Sequence, residues 1–335
     1  MKRVKTVIKV LAVLLMAGAL LFLLIYGEKS GNISALAEGT KEEKPRYVKS
    51  VDIKGSEIEY NGKRYKYNDH LTNFLFLGID KRELADTVKG AADAGQSDAI
   101  FLVSMDRMSG KTALISIPRD TMTMIVGYTV DQEPLLLYDH LSVQYGYGDG
   151  RHGSCNLSKD AVSSLMYSLP IQGYCAIALD ALTVIAGEMG DLEVTIPNDS
   201  LAFKDDEFKA GSTVVLDKDN IELFLRVRDT QTQGSPLMRL ERQKMFLEAF
   251  LERAAEKYAE DNSMISDFYE ELKPYMVTNM GNDQFVRLLR GATERDDVTR
   301  WTVPGEASDN GMYDEYHVHE DELLQLLLQT VCVEY

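Results

Sequence analysis

Three short apolar runs follow one another in the first half of the chain, and charged residues stand at their ends. The runs are residues 73–79 (NFLFLGI), 99–105 (AIFLVSM) and 112–117 (TALISI). Because they are apolar at nearly every position, they predict strands that are buried on both faces of a sheet. Asp80 follows the first strand, Asp98 precedes the second and Arg119 follows the third. Charged side chains therefore border three central strands.

Helical and extended patterns alternate along the rest of the chain. The predicted helices are 156–169, 182–189, 217–228 and 239–258, and the predicted strands are 174–179 and 192–196. The last of these helices is strongly periodic, with apolar residues on one stripe. Alternation of this kind is typical of an α/β fold, and we expect an αβα sandwich with a central mixed β-sheet.

The N-terminus combines a basic flank with a long apolar run. Residues 1–9 carry four basic side chains and no acidic one, and residues 10–26 contain no charged side chain. Such a segment can span the hydrocarbon core once, and the positive-inside rule places the N-terminus in the cytoplasm. We therefore predict a single-pass protein of the cell membrane whose C-terminal domain is extracellular. A cleavable signal peptide is the alternative, because Ala35-Leu36-Ala37 resembles a cleavage site.

This pattern divides the chain into three parts. We predict that residues 1–28 form a cytoplasmic tip and a transmembrane signal anchor in the lipid bilayer, and that residues 29–70 form an extracellular stalk. Residues 71–335 form the main domain. Within the stalk we expect one or two short strands around Asn61-Gly62, a dipeptide typical of a tight hairpin turn.

Composition narrows the range of functions. With 335 residues and 45% hydrophobic side chains the chain can build a sizeable core, and 53 acidic against 36 basic residues give a net charge of −17. No long Lys/Arg block is present, which argues against sequence-general binding of nucleic acid. Cys155, Cys175 and Cys332 have no CxxC spacing, which argues against a zinc knuckle. Packed thiols are expected, and a bridge between Cys155 and Cys175 stays open.

Arginines are concentrated around the start of the last predicted helix. Four of them lie within seventeen residues, and Arg239, Arg242 and Gln243 share one helix face at spacings i, i+3 and i+4. Arginines at a helix N-terminus are repelled by the positive end of the helix dipole, so this arrangement is unfavourable unless an anion binds there. The alternative is a set of surface charges that pair with the abundant acidic residues.

Five motifs in a fixed order resemble the LytR-CpsA-Psr family. They are Gly78-Ile79-Asp80-x-Arg82, Ser97-Asp98, Ser116-Ile117-Pro118-Arg119-Asp120-Thr121, Arg226-x-Arg228 and Arg239-x-x-Arg242-Gln243. The resemblance extends to a late strand at 301–305 and a closing helix at 321–330. Two positions depart from the family pattern. His140 begins the segment HLSVQY where the family has K-I/L-N-x-A-Y, and Pro236 stands where an Asp often precedes the helix arginines.

The resemblance implies an activity. Members of this family are membrane-anchored extracellular phosphotransferases that move a glycopolymer, such as a teichoic acid or a capsule-like polymer, from a polyprenyl-pyrophosphate carrier to peptidoglycan. The implied partners are therefore the lipid-linked glycan and the peptidoglycan acceptor. The implied cofactor is Mg²⁺, with Mn²⁺ as the alternative. Residues 71–335 would be the catalytic domain.

The chemistry of this reaction suggests a role for each charged motif residue. Planar guanidinium groups bind pyrophosphate oxygens in pairs, so the expected pyrophosphate-binding residues are Arg82, Arg119, Arg226, Arg228, Arg239, Arg242 and Gln243. Mg²⁺ prefers a few carboxylates together with phosphate oxygens and water, which fits Asp80 and Asp98 as metal ligands. The expected catalytic residues are Asp80, Asp98, Arg119 and Asp120, and the sequence leaves open which acid binds metal and which accepts a proton.

Two further expectations concern stability and the lipid. Because such arginines serve charge rather than packing, Arg119→Ala or Arg228→Ala is expected to abolish transfer with little change in melting temperature. The polyprenyl chain needs apolar walls, and the candidates are Met166, Leu182 and Ile185.

Two other functions stay open. A hydrolase would use the same residues to cleave the lipid-linked pyrophosphate with water as acceptor. A non-catalytic receptor or scaffold would bind lipid-linked wall polymer without turnover, and His140 and Pro236 favour that alternative.

Overall fold

The computed structural model describes residues 51–190, 192–227, 264–281, 298–309 and 314–335, with ten single positions between 242 and 284. The predicted anchor and the first part of the predicted stalk lie outside these residues. Across the described part of the chain, no helix is both long and apolar enough to cross a membrane.

Strands and short helices make up the described chain. The strands are β1 (Ile58–Tyr60), β2 (Lys63–Tyr67), β3 (Leu71–Ile79), β4 (Ser97–Asp106), β5 (Thr112–Ile117), β6 (Met122–Tyr128), β7 (Pro134–His140), β8 (Gly173–Ile177), β9 (Leu192–Thr195), β10 (Thr213–Leu216), β11 (Met276–Thr278), β12 (Val298–Thr302), β13 (Gly305–Asp309), β14 (Asp314–Val318) and β15 (Cys332–Glu334). The helices are α1 (His152–Leu165), α2 (Ala181–Met189), α3 (Ile221–Arg226), α4 (Met264–Leu272) and α5 (Glu320–Val331). Short 3₁₀ helices cover Leu141–Tyr147, Asp206–Phe208 and Lys273–Tyr275.

The three apolar runs form the middle of a six-stranded sheet with the order β11-β8-β3-β4-β5-β12. β4 is antiparallel to both β3 and β5, whereas β8 runs parallel to β3 and β12 runs parallel to β5. The sheet is therefore mixed, as predicted. The predicted strand at 174–179 and the late strand at 301–305 are found as β8 and β12, each shifted by one to three residues.

Helices cover both faces of this sheet. Phe74 and Phe76 of β3 point into one hydrophobic core with residues of α2, α3 and α4. Leu75 and Leu77 of the same strand point into a second core with residues of α1 and α5. Because successive side chains of a strand alternate between faces, each apolar strand contributes to both cores. This arrangement is a three-layer αβα sandwich.

The predicted lipid-binding walls do not lie together. Met166 is fully buried in the core on the α1 side of the sheet. Leu182 and Ile185 are buried in the core on the opposite face. Since the sheet separates them, these residues cannot line one groove, and that prediction is wrong.

Three elements differ from the pattern read along the chain. The helix predicted at 156–169 is found four residues earlier, at His152–Leu165. β9, the predicted strand at 192–196, pairs with β10 in a separate two-stranded sheet. The helix predicted from residue 217 begins at Ile221. Asp217 Oδ1 accepts the backbone N–H groups of Asp219 and Asn220 at 2.8 and 3.1 Å, so these residues form a turn before the helix.

Residues 51–70, the second half of the predicted stalk, pack against the domain. β1 and β2 form the expected hairpin around Asn61-Gly62, and both turn residues have positive φ, 50° and 75°. β2 also pairs with β15, so Tyr67 stands opposite Cys332. The sequence pattern missed this contact because its two strands are far apart in the sequence.

The cysteines are free thiols. Cys155 and Cys175 are fully buried and belong to the two different cores. Burial raises the pKa of Cys175 to about 12. The two residues are thus packed thiols, and no bridge joins them.

Candidate active site

The strand directions bring the charged motifs to one end of the sheet. β3 and β5 end where antiparallel β4 begins, and parallel β8 ends beside β3. The loops at this end carry Asp80 and Arg82 after β3, Asp98 at the start of β4, and Arg119 with Asp120 after β5. Residues that are far apart in sequence are therefore neighbours here.

A β-bulge sets the position of Asp98. Gly78 pairs with Ala99 and Ile79 pairs with Ser97, so Asp98 is the additional residue on β4. A bulge redirects the side chain of the extra residue and bends the strand locally. Asp98 is 4% exposed and faces the loop that follows β5.

Arg119 is the centre of the hydrogen-bond network at this end. Its Nη1 donates to Asp98 Oδ1, its Nε donates to Asp120 Oδ1 at 3.1 Å, and its Nη2 donates to Gln96 Oε1 at 2.8 Å. The Arg119 side chain is only 11% exposed. Ion pairs are screened less at such a site than on the surface.

Asp80 joins this network through the backbone of residue 96. Its Oδ1 accepts the N–H of Gln96 at 2.7 Å, and its own N–H donates to the Gln96 carbonyl at 3.0 Å. Gly95 allows the close approach, since it has φ 96° and a Cβ there would lie 2.7 Å from Asp80 Oδ1. We call Asp80, Gln96, Asp98, Arg119 and Asp120 the Arg119 cluster. Our sequence analysis missed Gln96, although it stands directly before the Ser97-Asp98 motif.

Arg82 lies at the same end of the sheet but is held by other acids. Its guanidinium donates to both carboxylate oxygens of Glu222 at 2.5 and 2.7 Å, and to Asp180 at 3.2 Å. The Arg82 side chain is 60% exposed. It links the ends of β3 and β8 to the first turn of α3. Neither acidic partner belongs to a motif that the sequence pattern identified.

Arg242 is fully buried beside the end of α3. Its Nε donates to the Phe224 carbonyl at 2.9 Å, and its other nitrogens contact the Val227 carbonyl and Ser200 Oγ. A basic side chain satisfies the last carbonyls of a helix in this way. Arg242 therefore binds protein groups in this structure.

The other predicted pyrophosphate-binding residues are only partly described. Arg226 is the last residue of α3. Its side chain, and Arg228, Arg239 and Gln243 as a whole, lie outside the described residues. The structure thus brings together Asp80, Asp98, Arg119 and Asp120, with Arg82 at a neighbouring strand end.

His140, where the sequence departs from the family pattern, directly precedes a segment that is hydrogen-bonded to the backbone of Arg119. His140 ends β7, and its Nδ1 lies 2.8 Å from Asp139 Oδ1. The next residues bind back to the loop after β5, because Ser142 N–H donates to the Arg119 carbonyl at 3.0 Å. Pro236, the other departure, lies outside the described residues.

The Arg119 cluster has the donors that a magnesium ion takes from a protein. Three carboxylates and one guanidinium give it a formal charge of −2. Among the residues that the structure describes, no group of three or more His, Cys, Asp or Glu side chains is placed to hold a metal ion. Mg²⁺ is usually bound by one or two carboxylates plus phosphate oxygens and water. Asp80 and Asp98 are residues of that chemical type.

Comparison with known proteins agrees with the family that the five motifs resemble. The LytR_cpsA_psr family matches residues 25–330, which is most of the chain. The polyisoprenyl-teichoic acid–peptidoglycan teichoic acid transferase TagU of Halalkalibacterium halodurans is 27% identical over 186 residues, 55% of this chain and 53% of that protein. The TagU of Oceanobacillus iheyensis is 27% identical over 262 residues, 77% of this chain and 74% of that protein. The chain thus spans about half the length of the first relative.

Solved structures share the fold. The crystal structure of TagV from B. subtilis has a TM-score of 0.55 and 20% sequence identity. It covers 78% of this chain and 97% of the TagV chain. At this identity the likeness concerns the αβα architecture alone.

Proposed function

We propose that this chain, which belongs to the LytR-CpsA-Psr family, is a transferase that moves a glycopolymer from a polyprenyl-pyrophosphate carrier to peptidoglycan. The observation that supports the proposal is the Arg119 cluster, in which Asp98 and Asp120 contact Arg119 and Asp80 is hydrogen-bonded to the neighbouring Gln96 backbone, at one end of the sheet. Two relatives that are named as teichoic acid transferases acting on peptidoglycan support a polymer of that class.

The proposed reaction is a phosphoryl transfer. A hydroxyl oxygen of peptidoglycan attacks the phosphorus that carries the glycan, and a P–O bond forms. The bond from this phosphorus to the bridging oxygen of the pyrophosphate breaks, and polyprenyl phosphate leaves with that electron pair. The proton of the attacking hydroxyl passes to a carboxylate, for which Asp80, Asp98 and Asp120 are the candidates. Arg119 stabilises the charge on the phosphate oxygens during this transfer.

A divalent cation is part of the proposal. A pyrophosphate carries at least two negative charges, and it would meet a cluster whose formal charge is −2. Mg²⁺ or Mn²⁺ held by Asp80 and Asp98 would offset this repulsion and neutralise charge on the phosphates. Arg226, Arg228 and Arg239 would add further positive charge for the pyrophosphate.

We also propose that the protein is anchored in the cell membrane with its domain outside. The basic flank of residues 1–9 and the uncharged run of residues 10–26 support a single-pass anchor. This location brings the domain to the lipid carrier. The chain beyond the four basic residues has 32 basic against 53 acidic side chains, a charge of about −21.

The experiment that tests the function uses the full chain in detergent or in nanodiscs. Labelled lipid-pyrophosphate glycan is incubated with peptidoglycan oligomers, with Mg²⁺ or with EDTA. We expect label to appear on peptidoglycan only with the cation, and Asp80→Asn and Asp98→Asn to lower the rate at least 100-fold. Lys63→Ala, which removes an exposed ion pair with Glu334, is the matched control and should leave the rate unchanged.

Three other outcomes would change the proposal. Release of glycan phosphate without any acceptor would show a hydrolase. Tight binding of the lipid-linked glycan without turnover would show a receptor or scaffold. Equal transfer in EDTA would refute the metal part of the proposal while keeping the transferase.

A further inference from the structure

We propose that Gln96 is a positioning residue that holds the Arg119 guanidinium in its orientation toward the substrate phosphates. This inference rests on the proposed function of the same site. Gln96 lies between Gly95 and the start of β4, and this residue is half-buried. Its Oε1 accepts from Arg119 Nη2 at 2.8 Å.

The bonds of Arg119 fix the plane of its guanidinium. Three nitrogens donate to three different side chains, which come from the start of β4, the loop before it and the residue after Arg119 itself. A planar guanidinium group with hydrogen-bond acceptors on three sides cannot rotate without breaking a hydrogen bond. Of these three acceptors, Gln96 is the one contributed by a neutral side chain.

The neutral side-chain amide of Gln96 adds no charge to the Arg119 cluster. Asp98 and Asp120 already place two carboxylates against Arg119, and Asp80 is bonded nearby. A carboxylate at position 96 would change the formal charge of the Arg119 cluster from −2 to −3. An amide oxygen orients the guanidinium without this additional repulsion of an anionic substrate.

The two functions of residue 96 can be separated by substitution. Asp80 is bonded to the backbone N–H and carbonyl of Gln96, and any residue at this position keeps those groups. Arg119 is bonded to the side chain. A substitution at position 96 therefore changes the side-chain hydrogen bond to Arg119 and leaves the backbone hydrogen bonds to Asp80 in place.

Two variants of the full chain test the proposal. Gln96→Met keeps the length of the side chain and removes the acceptor, so we expect kcat for transfer to fall roughly 10- to 100-fold with KM for the lipid within about threefold. Gln96→Glu keeps an acceptor and adds a charge, so we expect near wild-type kcat with a KM raised about tenfold. This split between kcat and KM would not follow from a loss of stability.

Gln172→Met is the matched control. Gln172 Oε1 accepts the Asn73 N–H at 2.6 Å at the opposite end of the sheet, so this variant also removes a glutamine acceptor but leaves the site intact. We expect both methionine variants to lower the melting temperature by a similar small amount. Only Gln96→Met should change kcat.

A readout independent of transfer keeps the inference testable if the proposed function fails. In ¹⁵N-arginine NMR of the full chain, Arg119→Lys identifies the Arg119 signals, and the bond to Gln96 should slow rotation about Cζ–Nη2. We expect faster rotation in Gln96→Met and slow rotation in Gln96→Glu and Gln172→Met. Unchanged Arg119 rotation in Gln96→Met, or wild-type kcat in that variant, would overturn the proposal.

Discussion

Replacing Arg119 by alanine should destabilise the protein as well as inactivate it. Sequence reasoning alone treats Arg119 as a charge-bearing residue whose loss leaves the melting temperature nearly unchanged. The structure supports a different expectation, because the Arg119 side chain is 11% exposed and its partner Asp98 is 4% exposed. Arg119→Ala therefore removes the guanidinium that faces a buried carboxylate.

The size of the effect follows from the burial of the pair. Removing one partner of a buried ion pair typically costs about 3–5 kcal/mol, because the other charge stays desolvated. For a domain of this size, that loss corresponds to a melting temperature roughly 5–15 °C lower. Exposed pairs contribute little, so Lys63→Ala, which breaks the exposed pair with Glu334, should leave the melting temperature nearly unchanged.

A double-mutant cycle is the assay. Chemical denaturation of wild type, Arg119→Ala, Asp98→Asn and the double variant gives the coupling energy between the two side chains. We expect the double variant to be more stable than Arg119→Ala, because the asparagine removes the desolvated charge. Arg119→Ala within about 2 °C of wild type, together with additive losses in the cycle, would refute the reasoning.

Three further predictions concern other parts of the domain. Gly95→Ala should lower the free energy of unfolding by about 1–3 kcal/mol, because its Cβ would meet Asp80, and it should weaken Mg²⁺-dependent pyrophosphate binding in calorimetry. Gly211 has a similar φ of 83° but open space around it, so Gly211→Ala should lower the free energy of unfolding less. Burial raises the pKa of Asp149, but backbone N–H groups at the start of α1 outweigh it and hold this pKa below its usual value. The stability from Asp149 is therefore present above about pH 4 and is lost as pH falls through the lowered pKa, so Asp149→Asn should flatten acid unfolding between pH 5 and 2. The two buried cysteines have raised pKa values and should resist thiol reagents at pH 8 until guanidinium unfolds the chain; rapid labelling of the native protein would contradict their burial.

Local pattern was sufficient for the central elements. The continuous apolar runs of β3, β4 and β5 identify buried strands because few other structures bury every side chain of a short segment. Asn61-Gly62 identifies a hairpin because both residues accept positive φ. The motif order was also sufficient to indicate the family, since it is a property of the sequence itself.

That pattern did not predict contacts between segments that are distant in the sequence. The pairing of β2 with β15 joins the predicted stalk to the C-terminal strand of the domain, and nothing in either strand specifies its partner. The separation of Met166 from Leu182 and Ile185 by the sheet is likewise decided by which face each helix covers. Periodicity states that a helix has an apolar face but does not state which layer it packs against.

The same division holds for the site. The sequence determined which residue types are available, the carboxylates and arginines at strand ends that suit a phosphate and a cation. Only the tertiary structure decided which of them meet, because a β-bulge at Asp98 and the directions of β3, β4 and β5 place Arg119 between Asp98, Asp120 and Gln96. It also decided that Arg82 binds Glu222 and that Arg242 is buried. Charge can be read from composition, whereas burial and partners are properties of the packed chain, and these set the strength of each interaction.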